Sequence, residues 1–433
     1  MYRLALALLI SVSTLSLAPA FAQGPVEALK GQDRVAYQDM KSLKNPVIVP
    51  DDDKATEANR ALLVRQAKHI VGQLTDNKRI AMDDLARVIE DAIQNELPVP
   101  RGFPIREMEK YLAFGKEMGA ALVKELESAI NNSKIVVRVN AARLLSVVGE
   151  MGYDKAAELA LKVIAKPDES DGVKHWALRT LGNLFAIEPD AANKDVTVFT
   201  YFKSRELENK CIVALCNYIT TPRDVANMSA NEIAGLTMVR REAVKALGFV
   251  RTPRLKYQGK VLARPALVLL QVANHDGIVP EPDLQERYLA VIGFCQLFPV
   301  VRTNADREVQ CDYAAYALGT AILDIVTVKI DTISNTPSNM TLKWKLAGHE
   351  LDYALNQWAK NVNDMNLNNN AAATAMHKQI KLDLLDWLKT VDPSNPQNAV
   401  GFRDWLKNNP PKIKCLFADD VGKDEAKMKV IGE

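Results

Sequence analysis

The sequence predicts an all-α chain, a right-handed α-solenoid of stacked helix pairs with capping helices at both ends. Three observations predict it: a ten-residue pattern recurs through the middle of the chain, its spacing fits two helices, and shorter apolar-periodic segments stand before several copies. The cleanest copy is VRREAVKALG, ending at Gly248. The others are VRVNAARLLS, VKHWALRTLG, LENKCIVALC, LQERYLAVIG and a weaker QCDYAAYALG. Their last positions, Ser146, Gly182, Cys216, Gly248, Gly293 and Gly319, are 36, 34, 32, 45 and 26 residues apart. The first three intervals form a period, and a period of that length means that each unit buries its apolar face only against its neighbours.

At 100° per residue, positions 1, 5, 8 and 9 of the pattern share one arc. Position 9 is Leu145, Leu181, Leu215, Leu247, Ile292 and Leu318; position 5 is small in every copy but one, where Tyr288 stands. Small residues there, and glycine at position 10, let helix backbones approach closely. Glycine in a helix interior costs about 1 kcal/mol against alanine, so its recurrence argues for packing.

The ends of the chain read differently. Residues 1–22 have the layout of a secretory signal: Arg3, an apolar core, then Ala20-Phe21-Ala22 as a small-x-small cleavage site. The apolar run falls short of the roughly 20 residues of a membrane span, so no transmembrane segment is expected. Residues 23–50 read as an extended arm. Residues 51–116 hold N-terminal helices, one opened by Asp51-Asp52-Asp53 and a second from Ala81 to Leu97, before Pro98, Pro100 and Pro104 mark the join to the repeats over 117–330. The interval of 45 carries extra loop residues at 251–260 and 276–283. Residues 338–410 supply capping helices with Trp358, Trp387 and Trp405, and 411–433 reads as a charged, frayed tail.

The repeat unit resembles the HEAT-repeat family, whose pattern is a leucine-rich helix, a short polar turn, and a second helix opening Val-Arg and continuing Ala-x-x-Ala-Leu-Gly. Val137-Arg138, Val173-Lys174 and Val239-Arg240 carry the opening. Leu207-Glu208 departs from it. The resemblance covers 117–330; it implies an armadillo-like helical fold and says little about function.

Composition excludes some classes. Hydrophobic content of 48% and charged content of 25% are those of a packed globular chain. The net charge is +2, and Arg3 is the one charged residue in 1–22, so the mature chain is near neutral and offers no whole-protein field for nucleic acid. Five cysteines fit buried, reduced thiols better than a complete disulfide set. Catalytic motifs are missing: His349-Glu350 lacks the second histidine of a zinc-protease helix, and neither a serine elbow nor a phosphate loop is found. His275, Asp276, Glu281 and Asp283 share one polar loop, where a solvated turn is the default over a metal site. No cofactor, metal or catalytic residue is expected.

Three functions stay open: an exported, periplasmic or extracellular binding module for a protein or peptide, an enzyme or enzyme accessory of HEAT-like lyase type, and an architectural envelope component. For the binding module, positions 3 and 7 of the pattern point away from the apolar arc and would line the exposed face of the second helices. They hold Val139 and Arg143, His175 and Arg179, Asn209 and Val213, Arg241 and Lys245, then Glu286 and Ala290. Arg143, His175, Arg179, Arg241 and Lys245 are the candidate partner-binding residues. An acidic partner would fit them, and an ordinary solvated face would use the same residues. Position 2, with Arg138, Lys174 and Arg240, reads as a ladder between units.

Overall fold

A computed structural model describes residues 27–81, 83–97, 108–186, 201–298, 309–333, 339–367, 369–386 and 397–417. The chain is mostly helical, at 72% helix and 3% strand, with sixteen α-helices among the described residues. Residues 1–22, the proline-marked join and Trp387 lie outside the described residues.

The N-terminal part departs from the expected arm. Helix α1 (Gly31–Lys41) buries Tyr37 and Met40, because Arg34 and the Tyr37 hydroxyl both reach Glu96, by a carboxylate pair at 2.6 Å and by its carbonyl. Helix α2 (Asp53–Thr75) starts where the aspartates predict: the Asp52 carboxylate accepts from the Ala55 amide at 2.9 Å. A short α3 (Asn77–Ala81) follows, and the second helix expected from Ala81 begins only after Asp83, at φ +53°, as α4 (Leu85–Asp91), which runs on into a π-helical turn over Ala92–Glu96.

The middle of the chain comprises α5 (Met108–Ile130), α6 (Ile135–Glu150), α7 (Ala156–Ile164), α8 (Asp171–Phe185), α9 (Arg205–Thr220), α10 (Ala230–Gly248), α11 (Pro265–Ala273) and α12 (Leu284–Gln296). Side-chain caps set four of the starts: Ser170 for α8, Ser204 for α9, and the capping boxes Ser229 with Glu232 for α10 and Asp283 with Glu286 for α12. Helices α6, α8, α10 and α12 pack one on the next; α5, α7, α9 and α11 form a second tier, each against its sequence neighbour. The leucines at position 9 are fully buried in five copies, whereas Ile292 is half-buried.

Tier membership corrects the expected register. LENKCIVALC is α9, and it sits in the tier of α7 and α11 instead of between α8 and α10. Its apolar arc is the same because a helix in either tier buries one face; the pattern records the arc and not the neighbour. QCDYAAYALG opens α13 (Cys311–Ile333), which packs on α11 and so joins that tier too.

Glycine at position 10 does what its recurrence implies. A Cβ on Gly248 would stand 2.7 Å from Gly293 Cα, so α10 and α12 touch backbone to backbone. The α8–α10 contact is looser, with a Cβ on Gly182 3.3 Å from that of Ala246.

Between α10 and α11, part of the expected loop 251–260 is a β-hairpin. Strands β1 (Leu255–Tyr257) and β2 (Lys260–Ala263) pair antiparallel around Gln258 and Gly259, both at positive φ. At the C-terminal end, α14 (Asn339–Asp364) packs on α12, while α15 (Ala371–Ile380) and α16 (Gln397–Asn408) cover α13. Trp358 is buried against Phe294 at 5.9 Å between centroids, and Trp405 stacks on Phe402. The tail is not frayed at its start: Leu416 and Phe417 are buried, and the Leu416 carbonyl accepts from the Gln310 amide at 2.9 Å. One hydrophobic core runs from Leu29 to Phe417.

Candidate interaction surface

Helices α8 and α10 bring four of the five candidate residues to one face, and α6 adds Arg143. Trp176 lies among them. The guanidinium of Arg143 stands 5.7 Å and that of Arg179 5.3 Å from the Trp176 ring centre, and the His175 imidazole meets the ring edge-on at 5.2 Å. Arg179 is three residues after Trp176, one helical turn, and Arg143 holds the matching position in the preceding copy. That spacing was readable; the part played by Trp176 was missed because the pattern was read for its apolar and charged positions.

Not all of the basic set faces a partner. Arg143 pairs with Glu90 of α4 at 2.6 Å, and Arg241 with Asp283, so two of the arginines already tie neighbouring helices together. Lys245 has Glu242 at a loose 3.7 Å. Among the described residues Arg179 has no carboxylate beside it. His175 Nδ1 is shut from solvent without a hydrogen-bond partner; desolvation, with Arg179 and Lys245 close by, pushes its pKa below the ordinary value of 6.5 against the opposing pull of Glu242.

The other predicted positions separate. In the fifth copy Glu286 and Ala290 are both buried, which overturns their assignment to the exposed face. Arg240 explains this: its guanidinium grips the Glu286 carboxylate at 2.5 and 2.9 Å and donates to the Pro280 carbonyl at 2.7 Å, with both partners out of water. The arc of α12 is therefore turned, and Tyr288 leans out to Glu350 of α14. The position-2 ladder holds at two of three rungs. Arg138 crosses to Glu169 at 3.0 Å, while Lys174 folds back onto the Pro167 carbonyl of its own turn.

Asn209 and Val213, on the tier of α7 and α11, line a separate groove of about 720 Å³ between α9 and the hairpin, with Tyr257 and Leu262 on its other wall. In the 276–283 loop the charges are turned to neighbours: His275 meets Glu281 at 2.7 Å and Asp324 at 3.7 Å, and Asp283 caps α12. Among the described residues no group of three His, Cys, Asp or Glu is placed to hold a metal ion, and no helix is long and apolar enough to cross a membrane. The five cysteines are buried and none is in a disulfide, and burial pushes the Cys216 and Cys311 thiols up to about 12.

Compared with protein-family models, curated proteins and solved structures, the chain matches none.

Proposed function

We propose that the chain is an exported α-solenoid of the HEAT type that binds a protein or peptide with acidic side chains and carries no catalysis of its own. The tiers support the solenoid reading, since α6, α8, α10 and α12 pack in succession with their sequence partners behind them. One observation carries the binding reading: Arg179 stands over Trp176 and Lys245 lies near the adjacent His175 on the α8–α10 face, a cationic and aromatic grouping that suits carboxylates, and Arg179 lacks an acidic neighbour among the described residues.

Because Arg143 and Arg241 hold Glu90 and Asp283, the test variant is Arg179→Ser with Lys245→Ser. Titration calorimetry with a hexaglutamate peptide at low salt should show saturable binding to the native chain and a loss of at least tenfold in the variant. Equal binding by both would remove the α8–α10 face from consideration. Export is tested separately: N-terminal sequencing of the native protein should begin at Gln23, and a cytosolic chain retaining Met1 would contradict it.

A further inference from the structure

We propose that the groove between α9 and the β-hairpin is a second binding site, on the opposite tier, for an extended peptide that places apolar side chains next to acidic ones. Three features of the groove argue for that occupant.

The first is its apolar middle. Val213 and Ala214 form the floor, and the hairpin holds Tyr257 and Leu262 over them at 52% and 43% exposure, an unusual cost for two large side chains that water must cover. The volume lies in the range of built ligand sites. The second is polar matching along the floor. Asn209 and Asn217 bracket the apolar stretch eight residues apart, about 12 Å along a helix. An extended chain covers that distance in about four residues, and a carboxamide, which both donates and accepts, matches a peptide backbone in a way it cannot match an acyl chain. Strand β2, which contacts α9, has no second strand beside it among the described residues, so its edge can also receive an extended backbone.

The third feature is charge. Past Asn209 and Arg205 the groove continues into a smaller pocket of about 290 Å³ that adds Lys203, Arg254 and Lys256. Together the two spaces are lined by Lys203, Arg205, Lys210, Arg254 and Lys256 against Glu206 and Glu208; Lys210 is paired with Glu206 at 2.7 Å and Arg254 is buried over the Phe417 ring, so Lys203, Arg205 and Lys256 face Glu208 at one end of an apolar channel. A chain with acidic residues at one end and large apolar ones at the other complements that gradient; a uniformly apolar or basic one does not.

The experiment uses the full mature chain and a fluorescein-labelled octapeptide in which three acidic residues precede Leu-Phe-Leu. Anisotropy should rise saturably and the affinity should fall as salt rises. Tyr257→Asp with Leu262→Asp, at two exposed positions, should weaken binding at least tenfold while circular dichroism stays native. Arg205→Ser with Lys256→Ser should weaken it several-fold, and the Arg179→Ser, Lys245→Ser variant should bind as the native chain does, which separates this site from the α8–α10 face. Absence of saturable binding would overturn the proposal, as would undiminished binding by the hairpin variant. Equal affinity for a peptide whose acidic residues are replaced by their amides would overturn it too. Displacement of the peptide by sodium laurate at comparable concentration would reassign the groove to an amphiphile and overturn the peptide reading.

Discussion

Two successive junctions of one tier, α8 on α10 and α10 on α12, use the same position of the pattern and reach different solutions. At α8–α10 a glycine meets an alanine, the position-2 lysine turns back to its own turn, and the outer face is left to Trp176, Arg179 and Lys245. At α10–α12 glycine meets glycine, and the adjacent arginines 240 and 241 clasp Glu286 and Asp283, which also form the capping box of α12. The clasp follows the hairpin and the 276–283 loop and ties the start of α12 to α10.

The comparison is broken most directly at Glu286. Glu286→Ala leaves the Arg240 guanidinium buried without its carboxylate and should cost about 3–5 kcal/mol in chemical denaturation, whereas replacing both residues together by Met and Leu should recover most of that loss. A double variant as unstable as the single one would show that the pair itself, and not the unpaired charge, is what the junction needs. Next in size come the glycines. Gly248→Ala must push against the Gly293 backbone and should cost about 1–3 kcal/mol, while Gly182→Ala meets the Ala246 methyl and Cα at 3.3 and 3.4 Å and should change stability by well under that. Equal costs would mean that the two junctions are equally tight.

The smallest effect sharpens the α8–α10 side. The pKa of His175 is lowered in the folded chain, chiefly by desolvation, so the unfolded chain binds the extra proton first as pH falls. Stability from this group is complete above 6.5 and declines as the pH drops from there toward the lower folded value. Melting temperatures measured across that window should fall more for the native chain than for His175→Gln; parallel slopes would exclude the imidazole as a source of pH dependence.

Much of the helix framework could be read from the residues. The starts at Asp52, Ser170 and Ser204, the buried leucines and the glycine contacts all depend on interactions within a few residues or on an arc that periodicity reports. What escaped the reading is nonlocal. Whether α9 lies under α8 or beside α7 depends on which surfaces meet, and both tiers carry the same period. Glu286 looked like an outward charge until Arg240, 46 positions earlier, accounted for its burial. Residues 255–263 place a Gln-Gly turn between two short runs rich in apolar residues, a hairpin signal hidden by reading the long interval as loop. Of the candidate surface, the basic positions were visible, but their pairing with Glu90 and Asp283 was not, because ion pairs between units have no fixed sequence separation.

The five buried thiols give the folded state a chemical task. In an oxidising compartment thiol exchange needs a thiolate and access, and the fold withholds both by sealing each sulfur in the core. Unfolding would release all five together, an odd set that can form only wrong bridges and leaves at least one sulfur to attack another chain. For such a protein, folding before oxidation decides the yield, and a transient opening of the core becomes a covalent, irreversible event. In such a compartment its lifetime would be set by how seldom the helices part.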